Sequence, residues 1–265
     1  MSSIAAVGES YQKFNPRAYL QNNYMPPRAD FSSDDFVVPW KLRCLAEAFR
    51  TGKVHGHTII DIGSGPTIYQ LLSSTDHFEE IIMTDFLEVN REVLRKWLQA
   101  EPNSFDWSPY IKHTCSLEGK GEHWKDKERK LREKVKRVLP IDIHQLKPLG
   151  SAVTEPVDAL VSTFCLEAAS PDQESFQQAL ENVTTLLKPG GHFLMIGALE
   201  ESFYLAGEAK LLVVPVTEEE VKEAFTKSGY KICDFRTYVM PSSLKIGVDD
   251  VRGIFFMHAQ KKRAG

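Results

Sequence analysis

The 265-residue chain predicts a Rossmann-like α/β fold, a doubly wound, mostly parallel sheet of seven strands. Three observations predict it. From residue 57 onward, strand-like apolar runs alternate with stretches of helical periodicity, as strand–helix–strand units require. The first run, Thr58-Ile59-Ile60-Asp61, leads straight into Gly63-Ser64-Gly65, a tight turn whose glycines let backbone N–H groups approach a ligand closely. The last two runs, Tyr230–Met240 and Gly253–Gln260, can form the antiparallel edge common on such sheets.

The whole chain reads as one domain with decorations. Residues 1–40 are not strand–helix material: Tyr11, Phe14, Tyr19 and Tyr24 sit among Arg17, Asn22 and Asn23, and they read as an N-terminal cap or lid on a core spanning 57–265. A short helix near 67–74 follows the first strand. The second strand, about 79–85, precedes a helix with Val89, Val93, Leu94, Trp97 and Leu98 on one stripe. Residues 102–135 look like an insertion that ends in the charged helix Glu122 to Val138. A third strand is expected near 137–143 and a fourth from Val157 to Cys165. Ser170-Pro171-Asp172-Gln173 reads as a helix start, with Ser170 as cap and Gln173 closing a capping box. That helix is expected to stop at Pro189-Gly190-Gly191, before a fifth strand from His192 to Leu199. Thr217 with Glu220 makes a second capping box, on a helix ending at Gly229.

Bulk properties narrow the function. A formal charge of −4 gives no reason to expect nucleic acid or an anionic membrane as partner. No segment approaches eighteen consecutive apolar residues, and the start has neither a basic nor a long apolar region, so a membrane or secreted protein is not expected. Cys44, Cys115, Cys165 and Cys233 are widely spaced and fit reduced cytosolic thiols. The histidines show no metal-ligand spacing, so no metal site is expected.

The motifs favour a nucleoside ligand without phosphates. A dinucleotide fingerprint needs a third glycine at 68, where Ile68 stands. Asp85 ends the second strand twenty residues after Gly65 and can accept hydrogen bonds from both hydroxyls of a ribose. Asp142-Ile143 on the next strand can meet an adenine, the acid at its amino group and the isoleucine against its ring. An adenosine ligand lacking phosphates points to S-adenosylmethionine. At the fourth strand's end, Phe164-Cys165-Leu166-Glu167 replaces the Asn/Asp-Pro-Pro-aromatic run usual where amide or adenine nitrogens are methylated. A glutamate there suits a cationic aliphatic amine instead. Glu200-Glu201 and Asp249-Asp250 add two more acidic groups on loops at the same end of the sheet. Cys165 has no partner pattern for a nucleophile and reads as a structural thiol. The helix from Lys125 to Arg137 alternates charge sign and reads as a solvated face.

Ile60-Asp61-Ile62-Gly63-Ser64-Gly65-Pro66-Thr67 with Tyr69-Gln70 resembles the small-molecule amine methyltransferases, a family that includes nicotinamide, indolethylamine and phenylethanolamine N-methyltransferases. Asn22-Asn23-Tyr24, Thr84-Asp85-Phe86-Leu87-Glu88-Val89-Asn90, Phe164-Cys165-Leu166-Glu167-Ala168, Gly197-Ala198-Leu199-Glu200-Glu201-Ser202 and Val248-Asp249-Asp250-Val251 resemble its phenylethanolamine-methylating branch. The resemblance runs from about Ala5 to Lys261 and implies a class I S-adenosylmethionine-dependent methyltransferase fold. The implied reaction methylates the primary amine of noradrenaline, octopamine or phenylethanolamine and releases S-adenosylhomocysteine. It further implies a soluble monomer in the cytosol with no nucleic-acid or membrane partner.

The resemblance also implies site residues. Tyr11, Tyr19 and Tyr24 would close over the donor, with Gly63, Ser64, Gly65, Thr67 and Tyr69 around its methionine part. Asp85 and Asn90 would hold the ribose, while Phe86, Asp142, Ile143 and Thr163 would meet the adenine. For the acceptor, Phe164 would stack on the ring opposite Asn23, and Arg28, Val37, Lys41, Tyr204 and Met240 would shape the walls. Glu167, Glu201 and Asp249 would face the amine and carry the chemistry. Two alternatives stay open: a broader arylalkylamine or nicotinamide methyltransferase, and a non-catalytic donor-binding paralogue.

Overall fold

A computed structural model describes residues 3–264. Its strands are β1 (Gly56–Ile62), β2 (Phe78–Asp85), β3 (Val135–Pro140), β4 (Val157–Thr163), β5 (Leu187–Leu199), β6 (Phe203–Ala206), β7 (Ala209–Leu212), β8 (Tyr230–Val239) and β9 (Gly253–Lys261). Seven of them form one sheet in the order β3-β2-β1-β4-β5-β9-β8, while β6 and β7 pair separately. The pairs among β1 to β5 are parallel, and β9 runs antiparallel to both β5 and β8. The seven-stranded Rossmann-like sheet and its antiparallel edge are therefore as the sequence predicts.

The order reverses between β1 and β4, and ligands of such sheets lie beyond the strand ends at that switch point. Successive side chains of a strand point to opposite faces, so the β-branched runs feed two cores. Ile59, Ile81, Met83 and Val161 join one core with α3 (Val37–Arg50) and α5 (Ser108–Leu117). Ile60, Ile62, Ile82 and Leu160 join the other with α7 (Gln173–Thr184) and α8 (Glu218–Lys227). The predicted stripe after β2 is α4 (Glu88–Leu98), which buries Leu94 and Trp97. The capping box on α8 is formed: Glu220 N donates to Thr217 Oγ1 at 3.3 Å, and Thr217 N donates to Glu220 Oε2 at 2.8 Å.

Several expectations need correction. The cap is helical, not irregular. Ser3 caps α1 (Ile4–Ser10), Asn15 caps α2 (Pro16–Tyr24), and α3 already begins at Val37. The segment after β1 is a 3-10 helix over Tyr69–Ser74. The charged helix is α6, Trp124–Lys134, shorter at both ends than expected because Gly121–His123 is a 3-10 turn and the chain has already joined β3 at Val135. Strand β3 stops at Pro140, so Asp142 and Ile143 lie in the loop beyond it. Helix α7 is capped by Asp172, which accepts from Ser175 N at 2.7 Å, whereas Ser170 Oγ donates to Leu166 O at 2.7 Å. That helix ends at Thr184, and β5 absorbs Pro189-Gly190-Gly191 through an irregular register against β4. The loop that carries Glu200-Glu201 runs straight into a further hairpin, β6–β7. Among the described residues no helix is long and apolar enough to cross a membrane, and no cluster of three or more candidate metal ligands occurs.

Candidate active site

Two adjoining cavities open beyond the strand ends. The larger, of about 470 Å³, forms over the turn after β1. Gly63 and Gly65 take φ values of +66° and +59°, a left-handed backbone that favours glycine. The turn is pinned to the end of β2: Ser64 N donates to Thr84 O at 2.6 Å, Gly63 N to Thr84 Oγ1 at 3.2 Å and Gly65 N to Asp85 Oδ2 at 2.8 Å. Beneath it, Gln70 Nε2 donates to Asp61 Oδ2 at 2.7 Å, and burial pushes the Asp61 carboxyl up to about 7. A Cβ on Gly63 would collide with Cys165 Sγ. Gly63→Ala is therefore expected to weaken binding of S-adenosylhomocysteine, the product the resemblance implies, by about tenfold or more, through combined backbone strain and steric displacement of the turn, measurable by calorimetry.

Asp85 Oδ1 accepts from Leu87 N at 2.9 Å and from Asn90 Nδ2 at 3.1 Å, which fixes the carboxylate at the cavity wall. Burial raises the Asp85 pKa, opposed by these N–H groups and by Gly65 N. Asn90 Oδ1 is buried without a partner, so the pair retains acceptor capacity. Tyr11, Tyr19, Gly63, Ser64, Gly65, Thr67, Asp85, Phe86, Asn90, Asp142, Ile143 and Thr163 all border this cavity. Tyr24 and Tyr69 do not. Tyr24 Oη donates to Tyr69 Oη at 3.4 Å, and both rings are packed against Trp107 and Tyr110. Helix α1 supplies walls that the sequence reading missed, through Ile4, Val7 and Gly8. Ser3 followed by apolar residues at 4 and 7 was the available signal for that helix.

The smaller cavity, of about 60 Å³, shares Tyr19, Phe164 and Tyr204 with the larger one. Phe164 follows β4 with φ +54°, held by its N–H donating to Ile196 O at 2.8 Å. Asn23, Tyr24, Arg28, Val37, Lys41, Glu201, Met240 and Asp249 line the rest, with Ala198, Val251 and Ile254, which carry no chemical signature in sequence. Tyr204 is braced twice: Tyr11 and Tyr204 Oη atoms are 2.9 Å apart, and Tyr204 forms an antiparallel bridge with Asp249.

Charge is unusually concentrated here. Lys41 stands 4.7, 4.9 and 5.1 Å from the ring centroids of Tyr69, Tyr24 and Phe164, and burial, with help from Arg28, pulls its pKa down to about 7. Burial raises Glu201 well above the usual carboxylate range, reinforced by Asp249, Glu167 and Asp250. Asp249 is gripped by Arg28 at 2.5 Å, with both side chains 5% exposed. Glu200 and Asp250 face outward, Glu200 toward Arg252 at 3.5 Å and Asp250 toward Ser202 N at 2.8 Å.

Glu167 departs from expectation. It is fully buried and borders neither cavity; its Oε1 accepts from Ala198 N at 3.0 Å and its Oε2 has no partner. The residue belongs to the turn after β4, which carries it behind Ala198 rather than into the smaller cavity. Burial pushes its carboxyl up to about 7. A carboxyl raised on folding makes its full contribution to stability below the unfolded value near 4.5, and that contribution is lost as pH rises through about 7. Glu167→Gln is accordingly expected to flatten the decline in Tm between pH 5 and 8. An unchanged slope would show that the carboxyl is ionised in the folded chain.

The NNMT/PNMT/TEMT family model matches residues 2–262. The chain belongs to that family. It is 66% identical over 259 residues to the phenylethanolamine N-methyltransferase of Homo sapiens, covering 97% of this chain and 92% of that protein. It is 41% identical over 248 residues to the Homo sapiens nicotinamide N-methyltransferase, covering 94% of this chain and 93% of that one. Family membership makes the chain a methyltransferase on a class I fold. Two solved structures share the fold alone: an S-adenosylmethionine-dependent methyltransferase from Methanosarcina mazei and the 1,6-didemethyltoxoflavin-N1-methyltransferase of Burkholderia thailandensis. The first has a TM-score of 0.56 at 15% identity, covering 82% of this chain and 98% of that one. The second has a TM-score of 0.55 at 14% identity, covering 99% and 92%.

Proposed function

We propose that this chain transfers the methyl group of S-adenosylmethionine to the primary amine of a phenylethanolamine, converting noradrenaline to adrenaline. One observation carries the reading: a nucleoside-sized cavity meets, across Phe164, Tyr19 and Tyr204, a small aromatic cavity holding Glu201 and Asp249. S-adenosylmethionine supplies an electrophilic methyl carbon on a sulfonium, and S-adenosylhomocysteine leaves. The residues fit that donor. Asp85 and the unpartnered Asn90 Oδ1 accept from the ribose hydroxyls, and Asp142 and Ile143 stand at the adenine end. Gly63, Ser64 and Gly65 let the methionine part lie close against backbone, with Tyr11 and Tyr19 above it.

On the acceptor side, Phe164 takes the ring, opposite Asn23. Asp249 and Glu201 take the amine. An alkylamine has a pKa of about 10, so it must lose a proton before its lone pair can attack the methyl carbon. Glu201, whose carboxyl burial and the neighbouring carboxylates raise above the usual carboxylate range, is basic enough to accept that proton. The remaining acceleration comes from holding nitrogen, methyl carbon and sulfur in line away from water. Both cavities are completed within one chain, which supports a monomer, and the widely spaced free thiols suit the cytosol.

The test is transfer of labelled methyl from S-adenosylmethionine to noradrenaline, with nicotinamide and tryptamine run alongside. Selective labelling of noradrenaline is expected. Preference for nicotinamide or tryptamine would replace the acceptor assignment, and no labelling at all would favour a donor-binding paralogue.

A further inference from the structure

Arg28 does more than line a wall. Its side chain is buried in the roof of the acceptor cavity, and its hydrogen bonds reach three separate segments. Nε donates to Leu244 O at 3.1 Å, Nη1 to Asn23 Oδ1 at 2.9 Å and to Asp249 Oδ2 at 2.5 Å, and Nη2 to Asp249 Oδ1 at 2.9 Å. A planar fork on both carboxylate oxygens fixes the plane of Asp249 as well as its position. Asn23 brings the cap helix α2 into the same joint, and Leu244 anchors the loop that carries Asp249.

The charges around this joint decide what it does. Glu201 and Lys41 face the same cavity, with Asp250 and Glu167 behind Glu201. Tyr19, Tyr24 and Tyr204 face it too, and burial keeps their phenols protonated. A buried carboxylate without a counter-charge would stabilise an ammonium ion and hold its proton. A carboxylate whose charge is matched can still accept a hydrogen bond from the amine, but it no longer favours the protonated form so strongly.

We infer that Arg28 is a positioning residue for methyl transfer, gripping both oxygens of Asp249 so that this carboxylate orients the amine while its matched charge lets the amine lose its proton. The inference rests on the proposed reading that a phenylethanolamine amine meets Asp249. It adds the reason Asp249 orients while Glu201 receives the proton: Arg28 already matches the charge of Asp249.

The experiment compares wild type, Arg28→Lys, Arg28→Gln and Asp249→Asn. It measures S-adenosylhomocysteine affinity by calorimetry, KM for phenylethanolamine, and the pH dependence of kcat, which reports groups in the bound complex. Arg28→Lys keeps the charge but loses the fork. It should raise KM about tenfold and leave the acid limb of kcat in place. Arg28→Gln should move that limb to higher pH by about one unit, because an unmatched Asp249 holds the ammonium proton. Asp249→Asn should move it the other way. Donor-product affinity should stay within about twofold of wild type in all three.

An unmoved acid limb in Arg28→Gln would overturn the inference. So would a fall in S-adenosylhomocysteine affinity in Arg28→Lys that matches its loss of turnover, since Arg28 would then be a strut. If Arg28→Gln does not fold, the limb of Asp249→Asn decides: a downward shift supports the inference and no shift overturns it. Absence of phenylethanolamine turnover in wild type would defeat the proposed function itself, and the inference with it.

Discussion

Glu201→Ala and Asp249→Ala are each expected to lower kcat/KM for phenylethanolamine by about 10²-fold or more, which is the scale of lost general-base help or a lost buried charge contact. The two should fail differently. Glu201 carries a raised pKa in the smaller, aromatic-lined cavity, so its loss removes a proton acceptor and falls mainly on kcat. Glu201→Gln should behave like the alanine variant, because the amide keeps the shape but cannot take the proton. Asp249→Ala leaves the buried Arg28 guanidinium without its carboxylate, and breaking such a pair costs about 3–5 kcal/mol of stability. A lower Tm should therefore accompany its kinetic loss, whereas Glu201→Ala should leave Tm nearly unchanged or raise it, since a buried titratable group is removed. Near-normal kinetics in both variants would refute their assignment to the amine.

Deletion of residues 1–24 is expected to weaken S-adenosylhomocysteine binding by about 100-fold or more, because the walls that the cap contributes to the larger cavity are lost. Those walls include Ile4, Val7 and Gly8 on α1 together with Tyr11 and Tyr19, and Tyr11 also ties the cap to the body by donating to Ala168 O at 3.0 Å. The full deletion removes Tyr24, whose carbonyl accepts from the buried Tyr110 hydroxyl at 2.8 Å. A shorter deletion of residues 1–13 separates cover from packing, since it removes α1 and Tyr11 while sparing α2. It should still cut donor-product affinity by more than tenfold. Unchanged affinity after the short deletion would show that the donor is held from below alone.

The parts of this molecule legible in sequence are those where backbone geometry or charge leaves a local mark. Gly63 and Gly65 need positive φ, Asp85 ends a strand, and the β-branched runs of β1, β2 and β4 are buried on both faces. Each of these follows from local physics. Helix α3 is the counterexample: Phe36 offers no side-chain cap and Pro39 stands in its first turn, so its start leaves no local mark in the sequence. The 187–191 segment misled for the opposite reason. Pro189-Gly190-Gly191 is usually a stop, yet it lies within β5 because Leu187 pairs with Val157 and the register shifts before His192. At the site, Glu201 and Asp249 lie where carboxylates on loops at the sheet's open end are expected. The same loop position predicts Glu167 beside them, but whether a side chain points into a cavity or behind its wall depends on tertiary packing, here against Ala198.

The most direct test of the account is a crystal structure of the chain with S-adenosylhomocysteine and octopamine bound together. The expected result places the ribose hydroxyls on Asp85 and Asn90, the acceptor ring against Phe164, and the amine within hydrogen-bond reach of Glu201 and Asp249, on a line toward the sulfur. An acceptor bound outside the smaller cavity, or an amine turned away from both carboxylates, would contradict it.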